Sequence, residues 1–317
     1  MNRLVVVVPT AGGSDLLGRT LSSLAQCDLP NEYEKIIVVE NGPPSGAQSA
    51  VESAPPQLRA EYVHIKRANK SHALNCVFAD LADDDLVYLI DDDVRFSKNC
   101  LVDFVAAARD KKSGSVFGGP LRIDSEGDPP EKWKSFLPGS MVGWEPTVEE
   151  FNARDAFFLG ANWAVFAGDV TSAGGFDPRF GPGSPLGATG QEWTMQIALR
   201  KRGAHFQYVP SAIVWHHVDF SRFSKDFLIR RKYRGGLEAG IRYADFMYHT
   251  PRWHDYLRHP LMRARLRYLR NNIAVRWWHM CGRAMDAFRR ELDVEHAKGF
   301  LFAYPRAMSD LRETDSP

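Results

Sequence analysis

Long apolar runs are missing from this chain. No stretch approaches the roughly 20 residues that a membrane-spanning helix needs, so an integral membrane protein is not expected. Cysteine is scarce as well. Cys27, Cys76, Cys100 and Cys281 are scattered and never take Cys-x-x-Cys spacing, which fits a reducing compartment. Internal repeats and low-complexity tracts are absent. Only Arg3 separates the first two residues from the apolar run Leu4–Val8, which leaves no room for a tripartite leader and predicts a cytoplasmic protein. Net charge is also nearly lacking, at +1, but the balance is local rather than uniform. Residues 1–221 carry 20 Lys/Arg against 28 Asp/Glu, while residues 222–306 carry 19 against 8. A basic segment rich in Trp, Tyr and Phe calls for an anionic partner or is a solvated helical face.

What is present is enough for a full core: 317 residues, 44% hydrophobic and 25% charged, or one large domain or two unequal ones. The most informative stretch is Leu86-Val87-Tyr88-Leu89-Ile90-Asp91-Asp92-Asp93. Five apolar residues without alternation predict a strand buried on both faces. Three carboxylates follow at its carboxyl end, the edge of an open α/β sheet where ligands bind. Carboxylates at alternate positions are hard ligands for Mn²⁺ or Mg²⁺, ions that usually come with phosphate.

Around that segment, strand and helix alternate. Val5–Val8, Ile36–Val39 and Tyr62–Ile65 predict strands; Leu16–Leu24 and a span of about Ser71–Leu81 predict helices. Such β-α-β repetition predicts an α/β fold with a mostly parallel sheet. Pro120–Asn152 reads as a long irregular stretch, and Ala161–Phe166 restores regular structure. A helix is predicted over Glu192–Arg202, stopped by Gly203, and a strand over Ile213–Trp215 running into His216-His217. Beyond Phe220 the pattern is helical only, which suggests a catalytic domain over 1–220 and a basic helical region over 221–317.

Taken in order, several short motifs resemble one family. Pro9-Thr10 and Glu40-Asn41 end the first two strands, and Asn69-Lys70-Ser71-His72-Ala73-Leu74-Asn75 opens a helix. Asp91-Asp92-Asp93, Gly160-Ala161-Asn162, Gly174-Gly175-Phe176-Asp177-Pro178, Gly190-Gln191-Glu192 and Ile213-Val214-Trp215-His216-His217 follow. The series resembles the inverting family 2 glycosyltransferases over about residues 3–220. That resemblance implies a single Rossmann-like glycosyltransferase A domain, here with a C-terminal helical extension. It also implies a nucleotide-diphosphate sugar donor and a glycan or lipid-linked acceptor.

By the same comparison, Pro9, Thr10, Glu40, Asn41, Asn69, Lys70, Asn75, Asp91, Asp92, Gly160, Asn162 and Gln191 line the nucleotide sugar. Asp93 and His216 hold the metal, with His217 as the rival ligand because neighbouring strand residues face opposite ways. Glu192 is the expected base, standing where the family usually has Asp in a Glu-Asp pair; an inverting transfer needs a carboxylate to take the acceptor's proton. Trp163 and Trp193 are candidates to stack on sugar faces. Ser71 stands where a glycine is usual. The Gln-x-x-Arg-Trp signature of processive, membrane-embedded relatives is absent, which implies transfer of one sugar per encounter.

Two rival readings compete on particular residues. Ala11-Gly12-Gly13 is similar to the triphosphate loop of sugar nucleotidyltransferases, but Ser14-Asp15-Leu16-Leu17 then departs from it. A catalytically silent nucleotide- or glycan-binding protein would keep the fold, yet Asp91, Asp93, Glu192 and His216 argue for chemistry. No nucleic-acid module is recognisable. The basic region, with Arg263, Arg265, Arg267 and Arg270 among aromatics, suits a peripheral contact with the inner face of a membrane; the contrary reading is a helical cap.

Overall fold

The computed structural model describes residues 3–12, 15–125, 127–249 and 259–314. The Gly13-Ser14 step of the nucleotidyltransferase comparison lies outside them. The chain divides into two compact units. The first consists of Met1–Gly127, Pro138–Gly183 and Gln191–Asp219; the second of Asp128–Leu137, Ser184–Gly190 and Phe220–Pro317.

In chain order the elements are β1 (Leu4–Thr10), α1 (Asp15–Leu24), β2 (Tyr33–Asn41), α2 (Ala47–Glu52), β3 (Ala60–Ile65), α3 (Lys70–Phe78) and β4 (Leu86–Leu89). Next come β5 (Val94–Phe96), α4 (Cys100–Ala108), β6 (Ser115–Gly118), β7 (Leu121–Ser125), α5 (Glu131–Lys134), α6 (Gly139–Val142) and β8 (Trp163–Phe166). The series closes with α7 (Ala167–Ser172), α8 (Gln191–Lys201), β9 (His205–Tyr208), β10 (Val214–Val218), α9 (Lys225–His249), α10 (Pro260–Met280) and α11 (Ala284–Thr314).

A seven-stranded sheet in the order β3-β2-β1-β4-β8-β6-β9 forms the centre of the first unit. β1 pairs in parallel with β2 and β4, and β2 with β3; β8 alone runs antiparallel to its neighbours β4 and β6. Every residue of β1 is buried, and alternation divides them: Leu4, Val6 and Val8 pack with α1, α2 and α4, whereas Val5 and Val7 pack with α3, α7 and α8. β4 does the same with Tyr88 on one face and Val87 and Leu89 on the other. A strand covered on both faces has no reason to alternate polar with apolar, which is why its run reads as continuous.

Three differences from the sequence reading matter for the site. Pro120–Asn152 is not structureless, since it contains β7, α5 and α6. β7 joins β10 and the unforeseen three-residue β5 in a second small sheet, β5-β10-β7. The last strand also begins and ends later than expected, so His216 and His217 lie within β10 rather than after it. Strands this short draw their identity from a partner across the sheet, and local propensity carries little of that information.

In the second unit α11 packs along α9 and α10. Gly236 and Gly299 explain how α9 and α11 come so close. A methyl group at Gly236 would lie 2.1 Å from the His296 carbonyl oxygen, and one at Gly299 would lie 2.2 Å from that of Tyr233. Phe288 of α11 receives Trp133 and Phe136 edge-on, at centroid distances of 4.9 and 5.1 Å.

Candidate active site

The carboxyl ends of β1, β2 and β4, the start of α3, the start of α8 and the middle of β10 meet within the first unit. α1 fixes the aspartate turn. Thr20 of α1 donates to the carbonyl of Val94 (3.0 Å) or Asp92 (2.9 Å) and accepts from the Val94 amide (3.0 Å). The hydroxyl of Thr10 then bonds the Asp92 carboxylate at 2.5 Å. Burial pushes the Asp92 pKa up, the charges of Asp93 and Asp91 add to that, and the Thr10 bond opposes it. Asp92 is thus turned toward β1.

Asp91 and Asp93 project the other way. Nζ of Lys70 lies 2.8 Å from Asp91 Oδ1 and 3.2 Å from Glu192 Oε1, joining the aspartate turn to the first turn of α8. Burial disfavours the Lys70 charge, but the two carboxylates outweigh it and its pKa is raised. Gly160 makes room for this arrangement. A Cβ there would sit 2.7 Å from the Glu192 side chain, and Gln196 of α8 holds the preceding segment by bonds to the Phe158 amide (2.8 Å) and carbonyl (2.9 Å).

β10 places the two histidines differently. Antiparallel pairing sets His216 opposite Val94 of β5, and Nε2 of His216 lies 3.4 Å from Asp93 Oδ1. His216 is buried, whereas His217 is only partly so and pairs in register with Asp124 of β7. Ligand atoms of Asp91, Asp93 and His216 all lie within 4.8 Å of one another. Asp93 Oδ1 is buried with no hydrogen bond. This unbonded carboxylate oxygen, with the Asp91 carboxylate and the His216 imidazole beside it, fits a divalent cation, and the oxygen-rich set suits Mn²⁺ or Mg²⁺.

Other expected site residues are spent on the protein itself. Glu40 is fully buried and accepts from Tyr62 Oη (2.5 Å) and from Ser45 N (2.6 Å) and Oγ (3.0 Å). Burial pushes its pKa up, yet those bonds together outweigh it and leave the carboxyl below its ordinary value. Asn41 donates to the Thr10 carbonyl at 2.8 Å, tying the ends of β2 and β1. Asn162 is buried with its amide nitrogen 2.8 Å from the Pro120 and Ala212 carbonyls and its oxygen 2.8 Å from Tyr88 Oη. Pro9, by contrast, lines the same recess as Lys70, Gly160 and Glu192.

α3 acts chiefly as an anchor for the 176–183 loop. Asn69 caps the helix by accepting from the His72 amide (2.8 Å), while its own amide group reaches the Pro178 carbonyl (2.9 Å). Ser71 bonds the Phe180 carbonyl at 2.9 Å, which gives the serine a use that glycine could not have. Asn75 bonds both the amide (2.7 Å) and carbonyl (2.8 Å) of Phe176. Gln191 is buried, and neither amide atom of its side chain has a hydrogen-bond partner. Trp163 is buried in β8, where it lines the same recess as Pro9, Lys70 and Glu192; Trp193 packs against Phe157 at 5.3 Å.

Sequence reasoning missed Thr20, Tyr62, Ser45 and Gln196, and it did not foresee that Lys70 bridges two carboxylates. Thr20, Tyr62 and Gln196 carry no local signal, because each acts on a residue distant in the chain, whereas Ser45 lies five residues after its partner Glu40.

Comparison with known proteins agrees with this architecture. The family model described as glycosyl transferase family 2 matches residues 5–167. Among curated protein sequences, none matches the chain. Solved structures that resemble it include a mannosyltransferase, PcManGT from Pyrobaculum calidifontis, in complex with GDP-Man and Mn²⁺ (TM-score 0.53, 16% identity, 99% of this chain and 76% of that one). GalNAc-T7 with UDP, GalNAc and Mn²⁺ is similar at a TM-score of 0.51 and 13% identity, over 76% of this chain and 51% of that one. TarS of S. aureus is similar at 0.52 and 13%, over 97% of this chain and 55% of that one. The chain thus spans about half the length of the latter two. At these identities the likeness is one of fold.

Proposed function

Because the chain belongs to glycosyl transferase family 2 and is a glycosyltransferase, we propose that it moves one sugar per encounter, with inversion, from a nucleotide-diphosphate donor to a hydroxyl of a glycan or lipid-linked acceptor. The observation that carries this reading is the Lys70 bridge between Asp91 and Glu192, set beside the Asp91–Asp93–His216 cluster. It joins a diphosphate-metal site to a carboxylate suited to be a base.

In this reading Asp91, Asp93 and His216 would hold Mn²⁺ or Mg²⁺, whose charge would stabilise the departing diphosphate. Pro9, Thr10, Glu40, Asn41 and Gln191 shape the donor pocket, Glu40 and Asn41 by fixing the strand ends and Gln191 through its unpartnered amide. Asn69, Asn75, Gly160 and Asn162 build its walls. Glu192 takes the proton of the acceptor hydroxyl as that oxygen attacks the anomeric carbon. The bond from that carbon to the diphosphate oxygen breaks on the opposite face, and its electron pair leaves with the diphosphate. Lys70 holds one oxygen of Glu192 and leaves the other to face the acceptor. A cytoplasmic location accompanies this reading; among the described residues no helix is long and apolar enough to cross a membrane.

The test is a panel of nucleotide sugars assayed for release of nucleoside diphosphate with Mn²⁺, Mg²⁺ or chelator. Release from one donor that depends on the cation supports the proposal. Equal release with chelator would remove the metal from it, and nucleoside triphosphate consumption with pyrophosphate release would point to the nucleotidyltransferase chemistry instead.

A further inference from the structure

α10 carries an apolar stripe that no other described residue of the second unit covers. Met262, Leu266, Leu269, Ile273, Trp277 and Met280 are each at least half exposed, Ile273 at 70%. Their spacing of four, three, four, four and three residues places them within one sector of about 80° on a helix of 3.6 residues per turn. The buried residues Ala264 and Asn271 lie on the opposite side of the helix, where α10 packs on α11. The stripe therefore points away from the bundle and runs for about 30 Å, the length of the helix.

Charge flanks the stripe on both sides. Arg263 and Arg270 border one edge and Arg265 and Arg276 the other, each within about 80° of its midline, and all four are exposed. α10 contains no Asp or Glu at all.

We propose that this face of α10 is a membrane-docking surface, which lies flat on a bilayer rich in anionic lipid with the stripe among the acyl chains and the arginines at the headgroups. An apolar strip of this length is seldom left open to water. Pairing with a second copy through the stripe would bring two arginine-edged, acid-free helices together, and like charges along both seams oppose that. Nucleic acid would satisfy the arginines but leave Leu266, Leu269 and Ile273 wet, because single-strand sites offer bases to aromatic platforms and the stripe has one ring. A negatively charged bilayer meets both requirements at once, with apolar area for the stripe and headgroup charge for its borders. The arginines keep the helix in the interface rather than across it. The proposal stands apart from the donor site and does not depend on it.

The test is co-sedimentation of the full chain with phosphatidylcholine vesicles, with and without added phosphatidylglycerol, at low and high salt. At least tenfold stronger partition onto the anionic vesicles, weakened by salt, is expected. Leu266→Asn with Ile273→Asn, both at exposed sites, should lower that partition at least tenfold while an unchanged Tm and donor binding show that the fold persists. Arg263→Glu with Arg270→Glu should lower it too. A protein that stays in the supernatant with anionic vesicles at low salt overturns the proposal. So does a double Asn variant that partitions like the wild type, or a solution dimer that the double Asn variant abolishes.

Discussion

The two units use their residues in opposite ways. In the first, apolar side chains fill both faces of a sheet and buried polar groups are many: Thr10, Thr20, Glu40, Asn69, Ser71, Asn162, Gln191, Gln196 and His216 among them. In the second, Ser184 and Asn271 are the buried polar residues among those described, while large apolar side chains turn outward. Of the exposed large hydrophobics, Val102, Val142 and Val148 belong to the first unit and all the others to the second. A unit that must aim carboxylates at a reacting centre needs internal polar bonds to lock each rotamer, since a displacement of 1 Å can cost about a hundredfold in rate. A helical bundle held by close helix contacts needs few such bonds, and its outer face is free to serve another partner.

The sharpest way to break this contrast is at Glu192. Glu192→Gln is expected to lower kcat by about 10²–10⁴-fold while leaving donor affinity near wild type, because the carboxylate is assigned to proton transfer. Single-turnover kinetics beside calorimetry would separate the two. Full turnover in the variant would move the base elsewhere and leave the Lys70 bridge a structural tie.

A smaller loss is expected on the binding side. Asp93→Ala removes a buried ligand atom, and metal-dependent affinity for UDP or GDP should fall by at least the ~10–100-fold seen when support of a metal site is lost. Calorimetry with and without Mn²⁺ reads it. Unchanged metal dependence would count against the Asp91–Asp93–His216 cluster.

Gly160→Ala probes how tightly the first unit is built. The added methyl group would meet Glu192 at 2.7 Å, so kcat should drop by roughly tenfold or more with little change in donor affinity. Wild-type kcat would show that Glu192 has slack.

Acid should separate the units by the smallest effect. Both Glu40 in the first and His296 in the second have depressed pKa values, the latter through burial and then the charges of Lys232 and Arg267. A depressed pKa means that the unfolded chain binds the proton more readily, so each contribution to stability is complete above the unfolded value and lost as pH falls through the folded one. For His296 the loss begins near pH 6.5, for Glu40 only near 4.5. Urea unfolding followed across pH should therefore show the His296 loss at a higher pH than the Glu40 loss. His296→Gln should flatten the curve just below pH 6.5, and Glu40→Gln should change only its acid end. A His296→Gln curve identical to wild type would refute this assignment.

Much of this was legible without coordinates. The double-sided burial of β4 follows from five apolar residues in a row, and the position of the aspartates at its carboxyl end follows from strand length. α8 starts and stops within a residue of the span expected from its own spacing and Gly203. These are local properties, decided by side-chain periodicity and backbone preference over a few residues. The order of motifs likewise carried the family.

Contacts between distant segments were not legible. Asn69, Ser71 and Asn75 sit in a motif associated with nucleotide, yet their side chains hold a loop more than a hundred residues away. Whether His216 or His217 faces Asp93 depends on the register of β10 against β5, and a one-residue slip would have exchanged them. The arginines and apolar residues of α10 were visible as composition, but that Ala264 and Asn271, rather than Leu266 and Ile273, turn toward α11 was decided by packing. Spacing along a chain determines which residues share a face; only the assembled tertiary structure determines which face is covered.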